Sequence, residues 1–424
     1  MILLNNSFKK IISSSGVNFI FRIFGLITSF LSTILISRLY GVTTMGNYSL
    51  VFTLSQAAAI IFTLGIPNTL IKIIGNHDYN YLQAKKLLLK GIKGALLFST
   101  IPVLIFYLGG DFLAKTVFSN IELKNYFLII TISLPLFILH EIFLYFLIAT
   151  KKFMKYNLFM FVVPNVFLIA LLYLFFSFQK SGHYSFMAFA FAIIATVFME
   201  IITVFNSKPQ KVEIHLRTFD LIKTATPLLF SGLFLYLMNW TNTIMLGIMT
   251  DAEQVGIYNI AYKVGSVGFL VIVSVSTVIT PKMAELYGKG ELTELRKLTH
   301  NSTRLIAILS VPIVLLLIFL SKFILSFFGS EVVAGSNTLI IVSLGVLFSA
   351  MAGNVDQILN MTNNQNILRN ITIFCFFVNV LLSYFLIPLY GIEGAATSSL
   401  ITNILINLFC ILYIKKRLGF YTLF

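Results

Sequence analysis

The stretch Arg38–Tyr48 reads RLYGVTTMGNY, and Ile248–Tyr258, 210 residues later, reads IMTDAEQVGIY. In both stretches an apolar run ends, a polar loop follows, and Gly-x-Tyr begins the next apolar run. Thr33–Ile34 and Thr243–Ile244 repeat at the same offset. An offset of half the chain indicates a duplicated unit, and many membrane transporters are built from duplicated halves.

The composition indicates a membrane protein. Hydrophobic residues make up 58% of the chain and charged residues 11%, and the mean hydropathy is +0.94. Soluble domains are about 45–50% apolar and about 25% charged. Apolar runs of about 18 residues or more can cross a hydrocarbon core of about 30 Å as helices. We therefore predict an all-α integral membrane protein with twelve transmembrane spans, at about 16–38, 46–71, 89–109, 126–149, 156–178, 184–206, 224–249, 256–281, 305–321, 335–360, 370–389 and 394–414.

The polar stretch in the middle of the chain predicts the domain boundary. We expect an N-terminal six-helix bundle over 1–206, a cytoplasmic linker over 207–223, and a C-terminal six-helix bundle over 224–424. An even number of spans per half gives both halves the same orientation in the membrane. The prediction is therefore two parallel six-helix bundles around a central cavity.

The distribution of basic residues predicts the orientation. The segments between alternate spans, counted together with the end turns of the spans, hold 23 Lys and Arg on one side and five on the other; the remaining two, Arg22 and Lys263, lie farther inside their helices. Since loops rich in Lys and Arg stay in the cytoplasm, both termini are predicted to be cytoplasmic. The net charge of +15 is thereby explained by orientation and attraction to membrane lipid, and no nucleic-acid partner is expected.

Arg22 and Lys263 are the predicted substrate-binding residues. Each lies about two turns inside its span, and ionisable groups at that depth cost several kcal/mol unless they meet water or a partner. One interpretation is that their long side chains reach the nearer membrane interface. The functional interpretation is a cationic lining for an anionic substrate.

Four acidic or histidine side chains are further candidates. His140 and Glu141 in span 4 and Asp356 in span 10 are predicted to couple transport to a cation or a proton, or to pair with basic residues. Glu141 and Asp356 occupy comparable places in the two halves. Glu200 lies near the inner end of span 6, so we expect it at the interface. A static kink or a gating bend is expected at Pro67, which follows Gly65 in span 2.

The sequence does not predict an enzyme, a cofactor or a metal site. It contains no glycine-rich phosphate-binding loop, and its longest outer loop, 110–125, offers no histidine, cysteine or Ser-His pairing. Energy for transport would have to come from an ion gradient or from the substrate.

Three motifs resemble those of polysaccharide flippases in the multidrug/oligosaccharidyl-lipid/polysaccharide superfamily, most closely the O-antigen (Wzx-type) branch. They are Leu35–Leu50, Met245–Lys263 and the Ile-Pro-x-x-Gly-x-x-Gly-Ala-Ala pattern at Ile387–Ala396. Their order and positions cover essentially the whole chain. The chain departs from the family at Asn242–Thr243, where an Asp-Arg or Asp-Lys pair often stands.

The resemblance implies a flippase for undecaprenyl-diphosphate-linked oligosaccharide in the bacterial inner membrane. Related lipid II flippases carry cationic residues on the first and eighth helices, which matches Arg22 and Lys263. The implied partners are membrane lipid, a coupling H⁺ or Na⁺, a polysaccharide polymerase and a chain-length regulator. The alternatives are a cation-coupled multidrug exporter of the same superfamily and a membrane-embedded polysaccharide polymerase.

Overall fold

The computed structural model describes residues 6–76, 79–206 and 240–422, together with positions 221, 234, 237 and 238. Every regular element in these ranges is a helix, which confirms the predicted all-α class. The chain divides into two compact units, Met1–Leu233 and Phe234–Phe424. The predicted domain boundaries at 206 and 224 fall on residues outside the described ranges and stay a prediction.

Eight α-helices are described in the first unit. They are α1 (Asn6–Leu35), α2 (Val42–Phe62), α3 (Ile66–Asn76), α4 (Tyr81–Phe112), α5 (Leu123–Ala149), α6 (Phe153–Asn157), α7 (Val163–Phe178) and α8 (His183–Phe205).

The second unit begins with α9, which the structure describes over 240–249. The others are α10 (Ala252–Gly265), α11 (Phe269–Gly288), α12 (Leu292–Phe319), α13 (Ser321–Ser326), α14 (Ser336–Ala352), α15 (Val355–Met361) and α16 (Gln365–Leu418).

Ten stretches of the described residues are helical, long and apolar enough to cross a membrane. One of them, α16, has 54 residues, which at 1.5 Å per residue is roughly 80 Å, more than twice the thickness of a bilayer core. Gly391, with φ 53° and ψ −128°, interrupts α16 and divides it into the predicted spans 11 and 12. The full count of twelve is not established, because most of the predicted seventh span lies outside the described residues.

Span 2 is two helices rather than one kinked helix. α2 ends at Phe62, and Leu64 (φ 52°) and Gly65 (φ 74°) turn the chain through left-handed conformations before α3 begins. Pro67 lies in the first turn of α3, where its missing N–H removes no helical hydrogen bond. The span is interrupted next to Pro67, at the turn that precedes it, and a gating role for Pro67 stays a prediction.

α5 is the central helix of the first unit and packs against α2, α3, α4 and α8. Its buried face is rich in large rings, including Tyr126, Phe127, Phe143 and Phe146, all at most 2% exposed. Because aromatic side chains bury large areas and are rigid, this face holds α5 in a defined rotation. That rotation decides which way His140 and Glu141 point.

The tyrosine of the duplicated Gly-x-Tyr motif, Tyr48 or Tyr258, is buried in each unit. In the first unit Asn47 Nδ2 donates to Glu122 Oε2 at 3.0 Å, and Tyr40 Oη donates to the Leu172 carbonyl at 3.0 Å. These bonds tie the loop to distant helices of its own unit.

Large apolar side chains are exposed along both units, including Leu108, Phe319 and Leu389, each at least 72% exposed. In water such a surface would be unfavourable at about 25 cal/mol per Å². The same surface is favoured in contact with lipid, so the chain is a multi-pass membrane protein.

Candidate functional site

The most deeply buried charge pair in the first unit joins α5 to α8. His140 Nδ1 lies 3.0 Å from Glu200 Oε1, and the two side chains are 6% and 0% exposed. Glu200 faces the protein interior, because the packing of α8 on α5 turns its carboxylate inward; its expected depth near the membrane interface stays a prediction. Buried ionisable groups persist only when they are paired or neutralised, so this pair constrains the protonation of both groups.

The second oxygen of Glu200 is unusual. Glu200 Oε2 is buried and has no hydrogen-bond partner among the described residues. An unsatisfied buried carboxylate oxygen costs about 1–3 kcal/mol or more, and a proton on this carboxylate lowers that cost. The pair is therefore suited to take up and release a proton.

Glu141 extends the pair toward a basic side chain. It is partly exposed and interacts electrostatically with both His140 and Glu200. Tyr156, at the C-terminal end of α6, interacts electrostatically with both Glu141 and Arg22. We call these five residues the N-terminal charge cluster. Contacts of α6 with α1 and α5 bring them together.

Arg22 is exposed on α1 and forms no ion pair within 4.0 Å with a described carboxylate. Its charge is thus not neutralised by direct contact with Glu141. An exposed guanidinium linked electrostatically to the His140–Glu200 pair through Tyr156 and Glu141 can hold an anion whose affinity depends on the protonation of that pair.

Lys263 lies in the second unit, in the last turn of α10. Its side chain is partly exposed. A cation in this position is favoured by the partial negative charge at a helix C-terminus. A 3₁₀ turn, Ser266–Gly268, interrupts the span immediately afterwards. A Cβ on Gly268 would lie 2.7 Å from Val346 of α14, so close packing positions this break.

Asp356 has different surroundings from Glu141. It is exposed in the first turn of the separate helix α15, which follows Gly353 at φ 77°. Its Oδ2 accepts a hydrogen bond from Gln357 at 2.9 Å. Among the described residues it forms no ion pair. The comparable places of Glu141 and Asp356 in sequence do not give them comparable environments.

Asn242 forms a neutral polar hub in the second unit. It is 2% exposed, its Nδ2 donates to the Ala395 carbonyl at 3.1 Å, and its Oδ1 accepts from Ser383 at 2.8 Å. Further bonds join it to Tyr258 and Asn379. The hub ties α9 to α10 and to both parts of α16. The place where the family often carries a carboxylate is thus filled by uncharged groups that satisfy one another.

Sequence reasoning identified Arg22, His140, Glu141, Glu200 and Lys263, but it missed Tyr156 and the pairing of Glu200 with His140. His140 and Glu200 are 60 residues apart, and no local spacing connects them. The one available signal was the presence of ionisable residues in neighbouring apolar spans. Among the described residues no group of three or more His, Cys, Asp or Glu could hold a metal ion.

Comparison with known proteins identifies the family of the chain. A family model described as "Polysaccharide biosynthesis protein" matches residues 7–287, and a second model, MatE, matches residues 227–385.

Two curated relatives have glycan-related names. The chain is 28% identical over 264 residues to the capsular polysaccharide biosynthesis protein CapF of Staphylococcus aureus. The aligned stretch covers 60% of this chain and 66% of CapF. The chain is 25% identical over 181 residues to the probable flippase AglR of Haloferax volcanii. That alignment covers 42% of this chain and 38% of AglR. The chain thus matches just under two thirds of the first relative and much less of the second.

A solved structure shows the fold. The lipid II flippase MurJ in its inward closed conformation superimposes with a TM-score of 0.79 at 17% identity, over 94% of this chain and 87% of that chain. At this identity the likeness establishes a shared fold and nothing further.

Proposed function

Because the chain belongs to the family of polysaccharide biosynthesis proteins, we propose that it is a flippase for lipid-linked glycan. It is a membrane transporter rather than an enzyme. The cargo we propose is undecaprenyl-diphosphate-linked oligosaccharide, an O-antigen or related repeat unit. Movement runs from the cytoplasmic to the periplasmic leaflet of a bacterial inner membrane by alternating access.

The observation that carries the proposal is the exposed Arg22 within the N-terminal charge cluster. A diphosphate is an anion, and an exposed guanidinium on an apolar helix can attract it. In a wet but confined site such a charge pair contributes a few kcal/mol, compared with about 1 kcal/mol in bulk water. Lys263 on α10, also predicted from the sequence to bind the cargo, is the second candidate cation.

Proton coupling is proposed for the buried pair. Adding a proton to His140 and Glu200 raises the charge near Arg22 by one, which strengthens anion binding there. By linkage, a bound anion favours the proton to the same extent. Glu141 and Tyr156 lie between the pair and Arg22 in this series of interactions. Na⁺ is the less favoured coupling ion, because the Asn242 hub is uncharged.

A cation-coupled multidrug exporter is the second candidate, favoured by the MatE match over 227–385. An exporter of cationic drugs requires acidic groups exposed to its substrate. Here the first span presents Arg22, and the acidic Glu200 is fully buried. This charge distribution favours an anionic cargo.

A reconstitution experiment tests the proposal. Purified protein in liposomes is given undecaprenyl diphosphate carrying a short fluorescent glycan, and a glycosidase outside reports how much glycan becomes accessible. We expect accessibility to rise well above that of protein-free liposomes, and ethidium transport to stay at background. Ethidium movement without glycan movement would contradict the flippase and support the exporter.

A further inference from the structure

A second group of basic side chains lies in the first unit, where the start of α4, the turn before α6 and the end of α8 meet. Tyr81 begins α4, Lys152 immediately precedes α6, and Phe205 ends α8. Tyr81 Oη donates to the Val204 carbonyl at 3.4 Å. This bond holds the Tyr81 ring against α8.

Two ammonium groups converge on the Tyr81 ring. Lys152 Nζ lies 3.4 Å from its centroid, and Lys85 Nζ lies 5.7 Å from the same centroid and 5.3 Å from that of Phe205. Lys155 is also within electrostatic range of the Tyr81 hydroxyl. Cations near an aromatic face gain about 0.5–2 kcal/mol each. We call Tyr81, Lys85, Lys152, Lys155 and Phe205 the lysine–aromatic cluster.

The arrangement has a cost that orientation in the membrane does not explain. Lys85 is only 8% exposed, and its charge is repelled by that of Lys152. Lysines that merely mark the cytoplasmic side reach into water. Lys151 adopts φ 59°, a left-handed conformation that costs about 1 kcal/mol or more for a residue other than glycine. Partial burial also lowers the pKa of the Lys152 amine.

An anion placed on the cluster would offset these costs. It would screen the repulsion between Lys85 and Lys152 and favour their charged forms. Phosphate suits lysine, whose compact ammonium group acts as a point charge without fixed directional demands.

The neighbouring apolar side chains indicate what carries that phosphate. Phe153 and Met154 follow Lys152 and are 43% and 61% exposed, and Leu89, one turn beyond Lys85, is 43% exposed. These ends of α4, α6 and α8 are predicted to face the cytoplasm, at the depth of lipid headgroups. A hydrocarbon chain attached to the phosphate would contact these exposed side chains.

We propose that the lysine–aromatic cluster binds the phosphate headgroup of a membrane lipid. The site is distinct from Arg22 and the N-terminal charge cluster. The shared chemistry is a phosphate on a hydrocarbon chain, which fits both an anionic phospholipid and a polyprenyl diphosphate. The proposal does not depend on transport, so it can fail while the flippase proposal stands.

The test is lipid titration of the full-length protein followed by native mass spectrometry. The probes are phosphatidylglycerol, undecaprenyl diphosphate, and inorganic diphosphate. In the double variant Lys85→Gln/Lys152→Gln two charged contacts are lost. We expect this variant to bind the first lipid molecule roughly tenfold more weakly than the wild type. Lys93→Gln, an exposed lysine on the same helix, is the matched control and should bind within about twofold of the wild type. Lys152→Arg should retain binding.

Melting temperatures of all variants separate binding from folding. Unchanged lipid binding in the double variant would overturn the proposal, and a lowered melting temperature with unchanged binding would show that the cluster only fastens the three helix ends. Equal affinity for inorganic diphosphate would overturn the lipid assignment. Tighter binding of either lipid than of inorganic diphosphate supports it, and the preferred lipid identifies the source.

Discussion

Glu200 illustrates how a single buried carboxylate constrains a membrane helix. Its side chain is 0% exposed, one oxygen lies 3.0 Å from His140, and the other has no described hydrogen-bond partner. Removing one member of a buried pair leaves an uncompensated group and costs about 3–5 kcal/mol. Because His140 would be left without its buried partner, an apolar residue at position 200 is expected to destabilise the protein.

Glu200→Gln tests the proton role. Glutamine keeps the size and can still hydrogen-bond to His140, but it binds no proton in the physiological range. We expect glycan flipping to lose most of its dependence on an imposed pH gradient while the protein level stays unchanged. The other four members of the cluster, Arg22, His140, Glu141 and Tyr156, remain in place.

The matched control is Asp356→Asn, which makes the same chemical change at an exposed carboxylate bonded to Gln357. It should leave the pH dependence as in the wild type. A Glu200→Gln protein that responds to the gradient as the wild type does would rule out this pair as the proton site.

Substitutions at Arg22 and Lys263 test the sign of the charge. If both bind the diphosphate, replacement by Glu abolishes flipping, Leu impairs it, and Arg22→Lys or Lys263→Arg retains much of it. Rates in liposomes, normalised to reconstituted protein, give the ranking. Side chains that only reach the interface give another order, with Leu harmless because it removes a costly charge. Wild-type rates from both Leu variants would exclude these residues from the cargo site.

At the scale of elements, the breaks within the spans are the features most relevant to movement during transport. α2 and α3 are separated at Thr63–Gly65, α10 and α11 by Ser266–Gly268, and the two parts of α16 at Gly391. Backbone freed from helical hydrogen bonding in a membrane has to be satisfied within the protein. Such breaks are also where helices can bend during transport.

The break in span 2 gives a comparison of neighbouring substitutions. Gly65 has φ 74°, so Gly65→Ala should cost about 1 kcal/mol and slow flipping. Pro67→Ala restores an N–H in the first turn of α3, so its effect on the melting temperature should be small. Any gating role of Pro67 would then appear as a change in flipping rate without a change in stability. A Pro67→Ala protein with wild-type rate and stability would remove Pro67 from the gate.

At the scale of the whole molecule, the basic residues predict the topology. The 23-to-5 partition of Lys and Arg predicts that both termini lie in the cytoplasm. Reporters fused after Lys152, Lys211 or Lys416 should give a cytoplasmic signal, and those after Lys115 or Lys180 a periplasmic one. Paired alkaline phosphatase and fluorescent protein fusions provide the measurement. A periplasmic signal at Lys211 would contradict six spans in each half.

The family and the membrane class follow from local properties of the chain. Apolar length and composition decide whether a segment can cross a bilayer, and loop lysines decide its direction; both are read without knowing any contact. The repeated Gly-x-Tyr loops are local as well, which is why they indicated the duplication. Arg22 and Lys263 could be identified because a charge within an apolar run is visible in the sequence.

Only the tertiary structure shows which residues of different helices contact one another. His140 meets Glu200, and Lys152 reaches the ring of Tyr81, because α5, α8 and α4 pack at particular rotations. Those rotations depend on how rings such as Phe127 and Phe143 fill the space between helices, which is a property of many residues at once. For the same reason Glu141 and Asp356, comparable in sequence, differ in environment: one lies in the central helix of its unit, the other is exposed at the start of a short helix.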